Sequence, residues 1–186
     1  MEIADQKYHL PAFLIISGMG RNIGKTSLAC NIIKEFSEKE RITAIKISSH
    51  FHEPTPELKL LFKTGGYSIS KEYNPGTEKD SSKMLAAGAR DSFYIQSQKD
   101  TLRDAFEKYI QEFDPGNAVV CESSALAKII TPGIGFTILS GNKINNFSQS
   151  EDFLANNFKQ ISFDGKKFTL SLEKIKLQGT RWLYDL

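Results

Sequence analysis

Short apolar runs alternate with amphipathic stretches along most of the chain. Pro11 to Ser17 (Pro-Ala-Phe-Leu-Ile-Ile-Ser) is uninterrupted and apolar, the pattern of a strand buried on both faces of a parallel sheet. A Gly-rich turn follows. Lys25 to Lys39 then repeats Leu28, Ile32 and Phe36 every four residues, and Ala29 and Ile33 widen the stripe, which predicts a helix. Arg41 to Ser48 predicts the second strand, so the first fifty residues read as a βαβ unit with a right-handed crossover.

From Ser49 to Asp80 the pattern dissolves. Pro54, Pro56, Gly65-Gly66 and Pro75-Gly76 break it up, leaving room for at most a short helix near Leu58 to Lys63. An insert of that length in a compact domain is usually functional or mobile. Ser81 to Ala89 predicts a helix and Ser92 to Gln96 a strand. Lys99 to Phe113 is the clearest helix, with Leu102, Phe106, Tyr109, Ile110 and Phe113 on one face and Asp114-Pro115-Gly116 as its stop. Ala118 to Cys121 predicts a buried strand ending at Glu122, and Gly135 to Ser140 another. Pro132, Gly133 and Gly135 read as a turn before it. A helix near Glu151 to Lys159 and a hairpin turning at Asp164-Gly165 complete the pattern. Alternating strands and helices predict a single α/β domain with three layers, a mostly parallel sheet and a C-terminal β-hairpin.

Composition narrows the picture by exclusion. Twenty-four basic and 22 acidic residues in 186 nearly balance, so the net charge calls for neither nucleic acid nor an anionic membrane as partner. No apolar run approaches the roughly twenty residues of a membrane span. Met1 to Gln6 lacks the basic and apolar regions of a signal peptide, so a cytoplasmic location is expected. Cys30 and Cys121 sit in separate apolar stretches and read as buried thiols of a reducing compartment.

The Gly-rich turn carries the sharpest chemistry. It reads Gly18-Met19-Gly20-Arg21-Asn22-Ile23-Gly24-Lys25-Thr26-Ser27, directly after the first strand and opening the first helix. The usual phosphate loop leaves four residues between its first glycine and Gly-Lys-[Ser/Thr]; here five separate Gly18 from Gly24. The mechanism survives the extra residue. Backbone N–H groups at a helix N-terminus point at phosphates, and the helix dipole favours the anion. Lys25 supplies a point charge for the β- and γ-phosphates, and Thr26 a hydroxyl for Mg²⁺. A tight strand-to-helix turn would explain the glycines alone; the Gly-Lys-Thr-Ser that opens an amphipathic helix points to a triphosphate. The fold class is therefore read as that of a P-loop NTPase, with Gly18, Gly20, Arg21, Asn22, Ile23, Gly24, Lys25, Thr26 and Ser27 around the phosphates.

The longer loop resembles that of dethiobiotin synthetases and cobyrinic acid synthases, within the wider P-loop class that includes signal-recognition and MinD-like proteins. Pro75-Gly76-Thr77-Glu78-Lys79-Asp80-Ser81-Ser82 through Ala87-Gly88-Ala89 resembles the Pro-Gly-Lys-Asp-Ser…Ala-Gly-Ala segment of the molybdopterin-guanine dinucleotide biosynthesis adaptor family (the MobB type). That family's preceding strand ends in Lys-His; here the strand ends Ile45-Lys46-Ile47-Ser48-Ser49-His50. Its Val-Glu-Gly strand end is similar to Val120-Cys121-Glu122-Ser123, and Lys83 stands where arginine is common. The resemblance spans about the first two thirds of the chain. It implies GTP as nucleotide, Asp80 near it, and a partner from molybdenum-cofactor assembly; the dethiobiotin-synthetase spacing points instead to ATP.

Other candidates are read singly. Glu122 ends an apolar strand, so it should emerge at the sheet's C-terminal edge beside the loop, where ligands bind in open α/β sheets. It is read as a second Mg²⁺ ligand with Thr26, against a solvated strand-end carboxylate. Asp80 is either a third ligand or the N-cap of the helix from Ser81. Asn142-Lys143-Ile144-Asn145 resembles the guanine-reading Asn-Lys-x-Asp, with Asn142 and Lys143 as base-reading candidates and Asn145 in the aspartate's place. His50, His52 and Glu53 read as surface. Trp182 and Tyr184 are core anchors or part of a homodimer contact.

Three functions remain open from the sequence. The first is a slow Mg²⁺-dependent NTPase of the adaptor type, slow because no arginine finger or water-orienting glutamine is identifiable. The second is an ATP-dependent ligase or small-molecule kinase, with Ser49 to Tyr73 forming an acceptor pocket. The third is a nucleotide-dependent binding module without turnover.

Overall fold

The computed structural model describes residues 8–18, 20, 22–52, 55–139 and 158–185. Eight strands build one sheet: β1 (Tyr8–Gly18), β2 (Ile42–Ser48), β3 (Leu58–Lys63), β4 (Tyr67–Glu72), β5 (Asp91–Ser97), β6 (Ala118–Glu122), β7 (Ile130–Leu139) and β8 (Lys159–Ser162). Their order is β3-β4-β5-β2-β6-β1-β7-β8. From β5 to β8 every pairing is parallel; β4 is antiparallel to β5, and β3 to β4. The α/β class and the mostly parallel sheet are as the alternation of patterns predicts.

Side-chain alternation sorts the core into two halves. Leu14, Ile16, Ala44 and Val120 face α1 (Lys25–Phe36) and α2 (Asp80–Ala86), meeting Leu28, Ala29, Ile32, Ile33 and Met84. Phe13, Ile15, Ile45, Val119 and Phe93 face the other way, onto Leu102, Ala105, Phe106 and Tyr109 of α3 (Leu102–Glu112). Helices therefore cover both faces of the sheet. Among the described residues no helix is long and apolar enough to cross a membrane.

β1 and β2 are not neighbours, although α1 connects them directly: β6 lies between. The C-terminal ends of β1, β6 and β2 thus stand side by side. That arrangement assembles the site.

Several local expectations are corrected. Leu58–Lys63 is a strand, not a helix, and forms a hairpin with β4. Its turn is closed by the Thr64 hydroxyl, which accepts from the N–H groups of Gly66 and Tyr67 at 3.2 Å each. A six-residue apolar run does not distinguish helix from strand; Gly65-Gly66 followed by Tyr-Ser-Ile-Ser was the hairpin signal. The Asp164-Gly165 turn closes only a single bridge, Phe163 to Phe168, because Asp164 Oδ1 accepts from both Lys166 and Lys167 N–H at 2.7 Å. The C-terminal hairpin is instead β9 (Ile175–Gln178) with β10 (Arg181–Tyr184), turning at Gly179, whose φ is +59°. Trp182 is fully buried against Phe36, so it is a core anchor. Of the helix expected near Glu151 to Lys159, residues 151–157 lie outside the described residues and Lys159 opens β8.

Gly133 and Gly135 are not turn glycines, since both lie inside β7. A Cβ on Gly133 would stand 2.3 Å from the Pro11 carbonyl oxygen and 2.8 Å from that of Trp182. Both are backbone atoms and neither swings away. Gly133→Ala is expected to destabilise the fold by about 3 kcal/mol, the upper end for overpacking. Urea unfolding checks this; a loss below about 1 kcal/mol would contradict the close approach.

Candidate functional site

The loop between β1 and α1 departs from ordinary backbone at alternate positions. Gly18, Gly20, Asn22 and Gly24 have φ of +149°, +105°, +58° and +93°. Gly18 must be glycine for a second reason: a Cβ there would lie 2.7 Å from the Ile138 carbonyl oxygen. Gly24 is the N-cap of α1 in left-handed conformation, with no side-chain cap hydrogen bond. The helix therefore opens beside the cleft with no side-chain cap on its first N–H groups. The Ser124 hydroxyl pins the loop's start, accepting from Gly18 N–H at 3.2 Å and donating to its carbonyl at 3.1 Å.

Lys25, on the first turn of α1, donates from Nζ to the Gly20 carbonyl at 2.7 Å. Burial pulls its pKa below the ordinary lysine value, while Glu122 pulls it back upward. A half-buried ammonium held, among the described residues, by a carbonyl is well suited to an anionic ligand.

Glu122 ends β6 in register with Ile16 of β1 and Lys46 of β2. It continues the row that faces α1, where its two neighbours inward are apolar. Its carboxylate is 2% exposed and both oxygens are engaged. Oε2 accepts from the Thr26 hydroxyl at 2.7 Å, and Oε1 is ion-paired to Lys46 Nζ. Lys46 Nζ also meets Asp80 Oδ2 at 2.8 Å. The structure thus brings Thr26, Glu122 and Asp80 together, as expected. Asp80 is not the N-cap of α2: the helix begins at Asp80 itself, after Lys79, and the carboxylate turns to Lys46.

Burial is the largest single influence on Lys46 and pulls its pKa down, but Glu122 and Asp80 outweigh it and the net shift is upward. For Asp80, burial pushes up and Lys46, with help from Thr26, holds the carboxyl below its ordinary value. The three groups form one charged unit with two carboxylates and one ammonium.

These groups line a cleft of about 1,410 Å³. It continues from the loop over the ends of β2 and β5, past His50, His52, Gln98 and Lys99. That further wall is fixed by Gln96, whose amide accepts from His52 N–H at 2.6 Å and donates to the His52 carbonyl at 3.3 Å. His50 and His52 are themselves exposed, and no group of three potential metal ligands of the His, Cys, Asp or Glu type occurs among the described residues. Cys30 is half-buried: it packs against the α1-side core and lines the cleft one turn after Thr26. Burial pushes its thiol up to about 11, which keeps it protonated and inert.

Gly18, Gly20, Asn22, Ile23, Gly24, Lys25, Thr26 and Ser27 all border the cleft. Arg21 and the base-reading candidates Asn142 and Lys143, with Asn145, lie outside the described residues. Lys46 was given no role from the sequence, although a lysine inside the apolar run Ile45-Lys46-Ile47 was a visible signal. Phe163 was missed too: its ring covers Gly24, where a Cβ would come within 2.7 Å of it. Comparison with protein-family models, with curated proteins and with solved structures gives no match.

Proposed function

We propose that this chain binds a nucleoside triphosphate through its Gly18–Ser27 loop and hydrolyses it slowly with Mg²⁺, in the manner of the molybdopterin-guanine dinucleotide adaptors it resembles. The observation that carries the reading is the loop itself: alternating positive-φ residues after a central strand, an uncapped helix N-terminus, and Lys25 and Thr26 on its first turn. Each part suits a polyphosphate. In this reading the N–H groups of the loop and of the first turn of α1 bind phosphate oxygens, and Lys25 exchanges the Gly20 carbonyl for one of them.

The donor set also fits Mg²⁺, which prefers a few hard oxygen ligands. Thr26 donates its proton to Glu122, so its own lone pairs stay free to bind a cation, with Glu122 and Asp80 close by. Bound there, the ion would neutralise charge on the β- and γ-phosphate oxygens. Slow turnover is expected because the sequence offers no identifiable arginine finger or water-orienting glutamine.

The length of the cleft favours a second reading, an ATP-dependent ligase or small-molecule kinase. Its volume exceeds the roughly 300–1,000 Å³ usual for one small ligand. Hydrolysis of the triphosphate to diphosphate and inorganic phosphate by the protein alone supports the NTPase reading. Nucleoside diphosphate formed only when a metabolite is added supports the kinase, which passes the phosphate to the metabolite, or the ligase, which releases it, and tight binding with neither supports a binding module.

The nucleotide base gives a sharper test. Asn145 stands where a guanine-reading motif carries aspartate, and an amide cannot accept two N–H donors. Loss of that charge-assisted pairing costs about 1.5–3 kcal/mol of guanine preference. GTP and ATP are expected to bind within about tenfold of each other in parallel calorimetric titrations with Mg²⁺. A hundredfold preference for GTP would mean that guanine is read elsewhere.

A further inference from the structure

Lys46 occupies an unusual place for a cation. It stands on β2 directly opposite Glu122 of β6, and its ammonium lies between that carboxylate and Asp80, at 2.8 Å from the latter. Glu122 is almost fully buried, Lys46 is 17% exposed and Asp80, on the first turn of α2, 39%. A charge buried as deeply as that of Glu122 needs a partner at all times. The Thr26 hydroxyl, on the other Glu122 oxygen, completes the set.

We infer that Lys46 is the resident counter-ion of the Asp80–Glu122 pair, and that a divalent cation binds there only by displacing it. The inference rests on the triphosphate reading above for its functional consequence. Two carboxylates carry two negative charges. The ammonium balances one of them, and a divalent ion would balance both. An ammonium and a divalent ion about 4 Å apart repel strongly even at a surface-like dielectric, so the two do not share the carboxylates. Lysine suits the exchange because its charge rides on a flexible four-carbon stem. Here Lys46 borders the cleft.

The consequence is an order of binding. Metal alone meets a competitor already in place. Metal arriving with a triphosphate brings negative charge into the cleft, where the displaced ammonium finds new partners. The free protein therefore holds divalent ions weakly, and the nucleotide raises their affinity.

The test uses Mn²⁺ alone, without nucleotide, followed by the loss of its free electron paramagnetic resonance signal. Lys46→Gln is expected to bind Mn²⁺ at least tenfold more tightly than the wild type. Lys46→Arg, which keeps the charge, should bind as weakly as the wild type, and Lys46→Gln/Glu122→Gln should lose the gain. Lys46→Gln leaves Glu122 short of a partner, so its melting temperature should rise steeply with Mn²⁺; if the variant is unfolded, Mn²⁺ should refold it. Mn²⁺ affinity no tighter than wild type, or an unfolded variant that Mn²⁺ does not rescue, overturns the inference. Titration of the wild type with Mg²⁺-triphosphate separates the two proposals: binding there, with no gain in Lys46→Gln, removes the role of Lys46 and leaves the nucleotide reading standing.

Discussion

Lys25→Ala is expected to weaken triphosphate binding roughly ten- to a hundredfold while leaving the fold intact. Among the described residues the ammonium donates to the Gly20 carbonyl, and burial already disfavours its charge. Losing that bond costs the fold about 1 kcal/mol or less. A charge-assisted contact to phosphate is worth about 1.5–3 kcal/mol, which is roughly ten- to a hundredfold in affinity. The same substitution thus separates ligand binding from stability. Calorimetric titration beside a urea unfolding curve checks both halves, and unchanged affinity would remove Lys25 from the site.

Glu122 should behave in the opposite way, because it serves structure and ligand together. Glu122→Ala removes a buried charge from between Thr26 and Lys46. Breaking a buried pair on one side costs about 3–5 kcal/mol; the low end is expected here, since Lys46 keeps Asp80 as partner. Glu122→Gln preserves the shape and removes the charge. It should weaken nucleotide binding in Mg²⁺ more than in a chelator. An equal loss in both conditions would place the metal away from Glu122.

The difference between these two residues also marks what the sequence could reveal. Lys25 was legible because phosphate chemistry at a helix start is local: Gly24, Lys25 and Thr26 are consecutive, and their roles follow from spacing alone. Glu122 was legible as a strand end, since an apolar run that stops at a carboxylate announces a sheet edge. Its partners were not. The Thr26 contact spans 96 residues and the Lys46 contact 76, and both depend on β6 entering between β1 and β2. No periodicity encodes strand order.

The errors have equally particular causes. Leu58 to Lys63 misled because six apolar-rich residues fit either period, and an irregular pairing between Leu60 and Phe62 blurs the strand alternation. Gly133 and Gly135 misled because glycine beside proline signals a turn, whereas here glycine admits the backbone of Pro11 and the ring of Phe158. Asp80 stayed between two roles because Asp-Ser-Ser is a good N-cap locally, and Lys46, on β2, claims the carboxylate.

The central claim is that the Gly18–Ser27 loop is a triphosphate cradle. It is tested most directly by a crystal structure of the protein with a non-hydrolysable triphosphate and Mg²⁺. The phosphates are expected against the loop and the first turn of α1, with Lys25 Nζ moved from the Gly20 carbonyl to a phosphate oxygen and Mg²⁺ on the Thr26 hydroxyl. A triphosphate bound elsewhere, with Lys25 still on Gly20, would contradict it.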